Sequence, residues 1–439
     1  MKRFHYALGF ACAVALTSCF FSESRLPPDF AMCEGPAPGN RPSQAPTYFG
    51  EVQPLLAANC VTCHQDGGIG PFRLDGYEEA EMWGPTSLAA IENGDMPPWP
   101  PSDCCAELRH KRSMTPDEVE VLRAWIDAGS PMGDATQASE PPTLPGLSRV
   151  DLEVTMPDAY TPTPSLGPSD DNRCFILDWP LSEKTYVTGL DVVPGQRELL
   201  HHAVVYAIDE TSAENYRTRD ENDPGPGWNC PGGTPSIADA YIGSWVPGSL
   251  GQDYPEGLGR AVKPGSKLLL AAHYELSAGS APDQSTLRFR LEDRVETEVE
   301  GLAVMNPLWL FDGAMKIPAG DPDVMHAYAY DPTAWFNLGR PLKVHDVSLH
   351  MHEWGTQASL AILRANGDVD CLLQIDAWDF DWQGEYFLQE PAVLHLGDRL
   401  YVECHFDNSA ENQPNGEAAS DLSWGDDLEM CIGSVLISR

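Results

Sequence analysis

Apolar residues in the second two-thirds of the chain come in short runs and not in long helical stripes. Lys184 to Val193, Leu199 to Ile208, Lys267 to Tyr274 and Val344 to Met351 are rich in Val, Ile, Leu, Tyr and Thr, and Gly, Pro, Asp and Asn separate them. Short runs with such punctuation predict antiparallel strands, and their spacing predicts two sandwiches or jelly rolls, at 151–298 and 299–439. Helical signals are confined to 47–133. Tyr48 to Asn59 has helical spacing, and Thr115-Pro116-Asp117-Glu118 offers an N-cap, a Pro at N1 and acids in the first turn. Leu122, Trp125 and Ile126 then make one apolar face that stops at Gly129. Residues 134–150 are rich in Pro, Ser and Thr without periodicity, as a linker is. The expected fold class is therefore mixed multidomain, a small all-α domain followed by two all-β antiparallel domains.

The N-terminus bears on the compartment. Lys2 and Arg3 precede an apolar stretch from Phe4 to Leu16, too short to span a bilayer that asks for about 20 residues. It reads as the h-region of a signal over residues 1–18. Leu16-Thr17-Ser18-Cys19 resembles the bacterial lipobox, in which the cysteine is diacylated. Residues 19–46, with many Pro, Gly and Ser, then form a flexible tether. The expected location is the bacterial cell envelope, periplasm or outer membrane, with membrane attachment only through the lipid on Cys19.

Charge narrows the partners. The formal net charge of -39 repels phosphate backbones and anionic headgroups, which excludes nucleic acid as a partner. Twelve cysteines in an exported chain read as disulfides or cofactor ligands.

Cys60-Val61-Thr62-Cys63-His64 is a C-x-x-C-H haem attachment signature: two thioethers fix the porphyrin, and a histidine on the same turn meets the iron. A redox or zinc C-x-x-C is the alternative, but the chain has no second C-x-x-C to complete a zinc site. With the helices on either side, residues 47–133 resemble a small c-type cytochrome. The sixth ligand is expected from Met96 in Met96-Pro97-Pro98-Trp99-Pro100, where prolines stiffen the loop; Met82 and Met114 compete. An iron held by His and Met has no open position, so this module would carry electrons. Cys33, Cys104 and Cys105 lie around it, and a disulfide from Cys33 to one of the pair is an option.

Five histidines in the β region fall into tight groups: His201-His202, His273 in Ala-Ala-His-Tyr, and His350-Met351-His352. Residues two apart in a strand share a face, so His350 and His352 can reach one ion. Adjacent residues do not, and His201 with His202 would need a bulge or a strand end to converge. In order, His201-His202, His273-Tyr274, His350-Met351-His352 and Glu429-Met430-Cys431 resemble the ligand motifs of the copper type II, ascorbate-dependent monooxygenases, the peptidylglycine alpha-hydroxylating and dopamine beta-monooxygenase family. The resemblance implies two jelly-roll domains with one copper in each: His201, His202 and His273 holding an electron-transfer copper, and His350, His352 and Met430 holding the copper that activates O2. It also implies disulfides Cys174–Cys230 and Cys404–Cys431, leaving Cys371 unpaired. Thioether and imidazole suit a copper that cycles between Cu(I) and Cu(II). His345, His395 and His405 are read as structural.

The implied reaction is hydroxylation of an aliphatic C–H of a small organic substrate with O2, electrons coming from ascorbate, from the fused haem, or from a periplasmic donor through it. Peptide-amidating members carry an Arg two residues before H-x-H, where Ser348 stands here, and Asn and Tyr after Met-Cys, where Ile432-Gly433-Ser434 stands; a peptide ending in glycine is therefore not expected. The alternative is a haem- and copper-binding electron-transfer lipoprotein without oxygenase activity.

Overall fold

The computed structural model describes residues 37–439 apart from 67, 140–145, 166–169, 231–238, 248, 250, 278, 312, 336–338, 381, 414–417 and 426–428. The expected signal, Cys19, Cys33 and most of the expected tether lie outside the described residues. Among those described, no helix is long and apolar enough to cross a membrane. Contacts divide the chain into two units: residues 34–99 with 110–298, and residues 100–109 with 299–439.

The first unit begins with helices. A π-turn at Tyr48–Val52 leads into α1 (Gln53–Asn59), followed by α2 (Tyr77–Asn93) and α3 (Pro116–Asp127). Thr115 caps α3 in a capping box with Glu118, as the sequence predicts. Tyr48, Val52, Leu55, Leu56, Ala80, Leu88, Leu122 and Trp125 form the shared core. The 17-residue α2 escaped the sequence pattern because Gly84 and Pro85 interrupt its apolar period, and an 11-residue helix at Glu210–Asp220, within the region expected to be all β, escaped it too.

Among the described residues, eleven strands follow in this unit: β1 (Leu152–Thr155), β2 (Asp170–Asp178), β3 (Thr185–Val193), β4 (Leu200–Ile208), β5 (Trp228–Asn229), β6 (Ala240–Trp245), β7 (Gln252–Asp253), β8 (Leu258–Val262), β9 (Lys267–Glu275), β10 (Thr286–Glu292) and β11 (Thr297–Glu298). One sheet has the order β1-β10-β3-β8-β11 with β7 beside β3; the other has the order β5-β2-β9-β4-β6. One core holds Val187, Leu190, Leu287 and Phe289 of the first sheet with Phe175, Val205, Leu268 and Leu270 of the second, so the two pack face to face. Cys174 and Cys230 are disulfide-bonded.

The second unit has β12 (Glu300–Val304), β13 (Val324–Tyr330), β14 (Leu342–His350), β15 (Gly355–Leu363), β16 (Val369–Ile375), β17 (Glu385–Leu394), β18 (Arg399–Phe406) and β19 (Ile432–Ser438). Its antiparallel sheets run β12-β19-β14-β17 and β13-β18-β15-β16. β17 and β16 are thus edge strands with backbone groups to satisfy. Residues 100–109 satisfy part of both: Pro101 bridges Ile375 and Leu108 bridges Leu388. Ser102 N donates to Gln374 O and Ala106 N to Cys371 O, while Arg109 N donates to Phe387 O and Gln389 N to Glu107 O. A Cys105–Cys371 disulfide clamps this strap. Cys371 is therefore not unpaired, and Cys105 is not a partner for Cys33; Cys104 is disulfide-bonded as well. The pairing escaped sequence reasoning because 266 positions separate the two cysteines.

Candidate metal centres

His202 in β4 lies opposite His273 in β9, and the register shifts between Leu200 and His202. His201 is the extra residue of that bulge, the distortion needed to turn two adjacent side chains toward one point. The three Nδ1 atoms converge: His201 to His273 at 3.2 Å, His202 to His201 at 3.3 Å, and His273 to His202 at 3.3 Å. All three rings offer their ligand atoms within 4.8 Å of one another. A point equidistant from the three nitrogens lies about 1.9 Å from each, close to the roughly 2.0 Å of a metal–imidazole bond. Three Nδ1 atoms cannot all satisfy one another, since each is either a donor or an acceptor and at least two of the three must then share a role. The donor set therefore fits a metal ion.

Asp170 at the start of β2 approaches the back of this group. Its Oδ1 lies 2.9 Å from His273 Nε2. A carboxylate there accepts from Nε2–H, which fixes the tautomer and leaves the Nδ1 lone pair facing the cluster.

In the second unit His350 ends β14, and His352 follows two residues on with ring centroids 5.1 Å apart. His350 Nδ1 lies 2.6 Å from Gln383 Oε1, while Gln383 Nε2 donates to Phe380 O at 2.9 Å. The second bond fixes which end of the amide faces the ring. His350 must donate from Nδ1, which leaves the lone pair on Nε2, the opposite nitrogen from that of the first cluster.

Glu429 gathers the rest. Its Oε2 accepts from the backbone N–H of both His352 at 2.9 Å and Met430 at 2.8 Å, and its Oε1 accepts from Trp354 N at 3.0 Å. Two ligand candidates 78 positions apart thus share one carboxylate oxygen. Glu429 is fully buried, and burial pushes its carboxyl up to about 8 against the pull of these N–H donors. Met430 is buried, and the Cys404–Cys431 disulfide pins the next residue. Trp378 Nε1 donates to His352 O at 3.1 Å, and Phe380 packs 6.0 Å from the His352 ring.

The C-x-x-C-H segment forms a tight turn after α1, with Cys63 N and His64 N both donating to Cys60 O. Neither Cys60 nor Cys63 is disulfide-bonded. Burial pushes Cys60 up to about 12 and raises Cys63, the reverse of the lowered thiol of a redox C-x-x-C. His64 is buried with Nδ1 2.9 Å from Phe72 O, so Nδ1 donates and Nε2 remains for an iron. A Cβ at Gly70 would sit 2.5 Å from His64 Nδ1, so only glycine lets the chain wrap the ring this closely. Of the three methionines, Met82 is 70 % exposed and Met114 packs on the helical core, while Met96 is half-buried in the loop after α2.

The sequence assigns no role to Asp170, Gln383 or Glu429, although Glu429 stands in the Glu429-Met430-Cys431 motif. Glu429 is adjacent to Met430 and was within reach of that reasoning; Gln383 stands 33 positions from His350 and carries no local signal.

Residues 304–435 match the family described as copper type II ascorbate-dependent monooxygenase, C-terminal domain. DBH-like monooxygenase protein 1 from Gallus gallus and from Homo sapiens are each 24 % identical over 277 residues, 58 % of this chain. The match spans 42 % of the length of these relatives. A protein of known structure from Parabacteroides distasonis is 8 % identical over 66 % of this chain and 88 % of its own, but its TM-score of 0.15 carries no argument. These matches support the copper type II monooxygenase family.

Proposed function

We propose that the chain is a copper-dependent monooxygenase of the cell envelope that hydroxylates an aliphatic C–H of a small organic substrate, with a covalent c-type haem in its electron supply. The observation that carries the reading is the convergence of the His201, His202 and His273 Nδ1 atoms, together with the match of residues 304–435, which include His350, His352 and Met430. Copper held by these two sets would supply one-electron transfer and O2 activation, and haem on Cys60, Cys63, His64 and Met96 would supply electrons alongside or in place of ascorbate.

The protein's own part is positioning. Asp170 and Gln383 set which imidazole nitrogen faces inward, and Glu429 fixes the backbone spacing of His352 and Met430. The haem turn and the three-histidine cluster belong to the same compact unit, which supports entry of electrons at that cluster. Ser348, two positions before His350, lies opposite Ser434 in β19 and Glu385 in β17. At this register a substrate carboxylate would face Glu385 and two serines, which speaks against peptides ending in glycine.

Copper and haem are counted on the exported full chain, and ascorbate-driven O2 uptake is then measured with and without His352→Ala. Two coppers, one haem and uptake that His352→Ala abolishes are expected. Two coppers and haem with no uptake that depends on His352 would overturn the oxygenase reading in favour of an electron carrier.

A further inference from the structure

The two candidate centres differ in what stands behind their histidines. His273 Nε2 faces the carboxylate of Asp170 at 2.9 Å, and His350 Nδ1 faces the neutral amide of Gln383 at 2.6 Å. Both groups accept a ring N–H and so perform the same tautomer-fixing task. Only one of them brings a negative charge.

That difference has an electrochemical consequence. A carboxylate behind a ligating imidazole makes the ring a stronger donor and favours the more highly charged ion, whereas an amide does so less. Outer-sphere hydrogen bonding of this kind is among the levers that set a metal's potential. Met430, a soft thioether, acts in the same sense at the other centre by favouring Cu(I). We infer that Asp170 and Gln383 are positioning residues that set opposite redox poises, Asp170 holding the three-histidine centre low and Gln383 leaving the histidine–methionine centre high. The inference rests on the proposed occupancy of both centres by copper. One electron would then run downhill: the three-histidine ion is oxidised from Cu(I) to Cu(II), and the other is reduced from Cu(II) to Cu(I).

The charge and the tautomer can be separated. Asp170→Asn keeps an oxygen able to accept from His273 Nε2–H and removes the charge, whereas Asp170→Ala removes both. Outer-shell substitutions change metal affinity by about 10- to 100-fold, and a tenfold change in the Cu(II):Cu(I) affinity ratio is about 59 mV for one electron. The Asp170 side chain is 35 % exposed, so the lower end of that range is expected.

The experiment is a potentiometric titration of the full-length holoprotein, following the Cu(II) EPR signals, with haem absorbance as an internal reference. Asp170→Asn should keep both coppers and shift the three-histidine centre upward by the equivalent of about tenfold, with the second centre and the haem unmoved. Gln383→Glu should shift the second centre downward and leave the first in place. If Asp170→Asn leaves its centre within about threefold of the wild type, or both centres move together, the inference is overturned while the monooxygenase reading stands. A wild-type protein that takes up no copper at the three histidines overturns both.

Discussion

Breaking the clamp on the strap tests the architecture of the second unit most directly. The Cys105–Cys371 bond closes a loop of 266 residues. In the chain-entropy picture so long a loop gives a ceiling of about 5 to 6 kcal/mol, and measured removals of native disulfides cost about 2 to 5 kcal/mol. Four backbone hydrogen bonds also tie residues 100–109 to the edges of β16 and β17, and at about 1 kcal/mol net each they hold only while the strap stays in register. Replacing Cys105 and Cys371 together by Ser should therefore cost about 3 kcal/mol, a fall of roughly 6 to 12 °C in the melting temperature of a unit this size. Calorimetry reads that fall. Hydrogen exchange should locate it, with lost protection at the amides of Ser102, Ala106 and Arg109 in the strap and of Gln389 in β17, the four donors of these bonds. A transition within about 2 °C of the wild type, with those amides still protected, would refute the reasoning by showing that strand pairing holds the strap without the bond.

Glu429→Ala leaves the buried N–H of Met430 and the half-buried N–H groups of His352 and Trp354 without their acceptor, and about 3 kcal/mol of stability should go with them; copper analysis should show loss confined to the proposed histidine–methionine centre. His345 is buried, with Nε2 2.8 Å from Ser438 Oγ, and burial, helped by Lys343, holds its pKa down to about 4. Its folded pKa is below the unfolded value of 6.5, so the contribution is complete above about pH 6.5 and is lost as the pH falls from there toward 4. Thermal melts across that window should show a loss on the order of 3 kcal/mol in the wild type that His345→Gln lacks; parallel curves would refute this. Met96→Ala should change the haem spectrum of the reduced protein, and Met82→Ala and Met114→Ala should not, since one side chain is exposed and the other packs in the helical core.

Strand content and the grouping of candidate ligands were legible in the sequence, because both depend on local patterns. The runs at 184–193, 199–208, 267–274 and 344–351 became β3, β4, β9 and β14 within two residues at each end, as short runs broken by turn formers require. The need for a bulge at His201 followed from side-chain alternation alone, and the register shift is found there. Thr115 and Glu118 announced a capped helix three residues apart. Tertiary structure decided everything that depends on distant residues: Asp170 behind His273, Gln383 behind His350, Glu429 beneath both His352 and Met430, and residues 100–109 laid along two sheet edges. Two residues that share a metal leave a recognisable motif in each local segment. A hydrogen-bond acceptor or an edge-pairing strap leaves none, because any polar side chain or extended backbone serves if the fold delivers it.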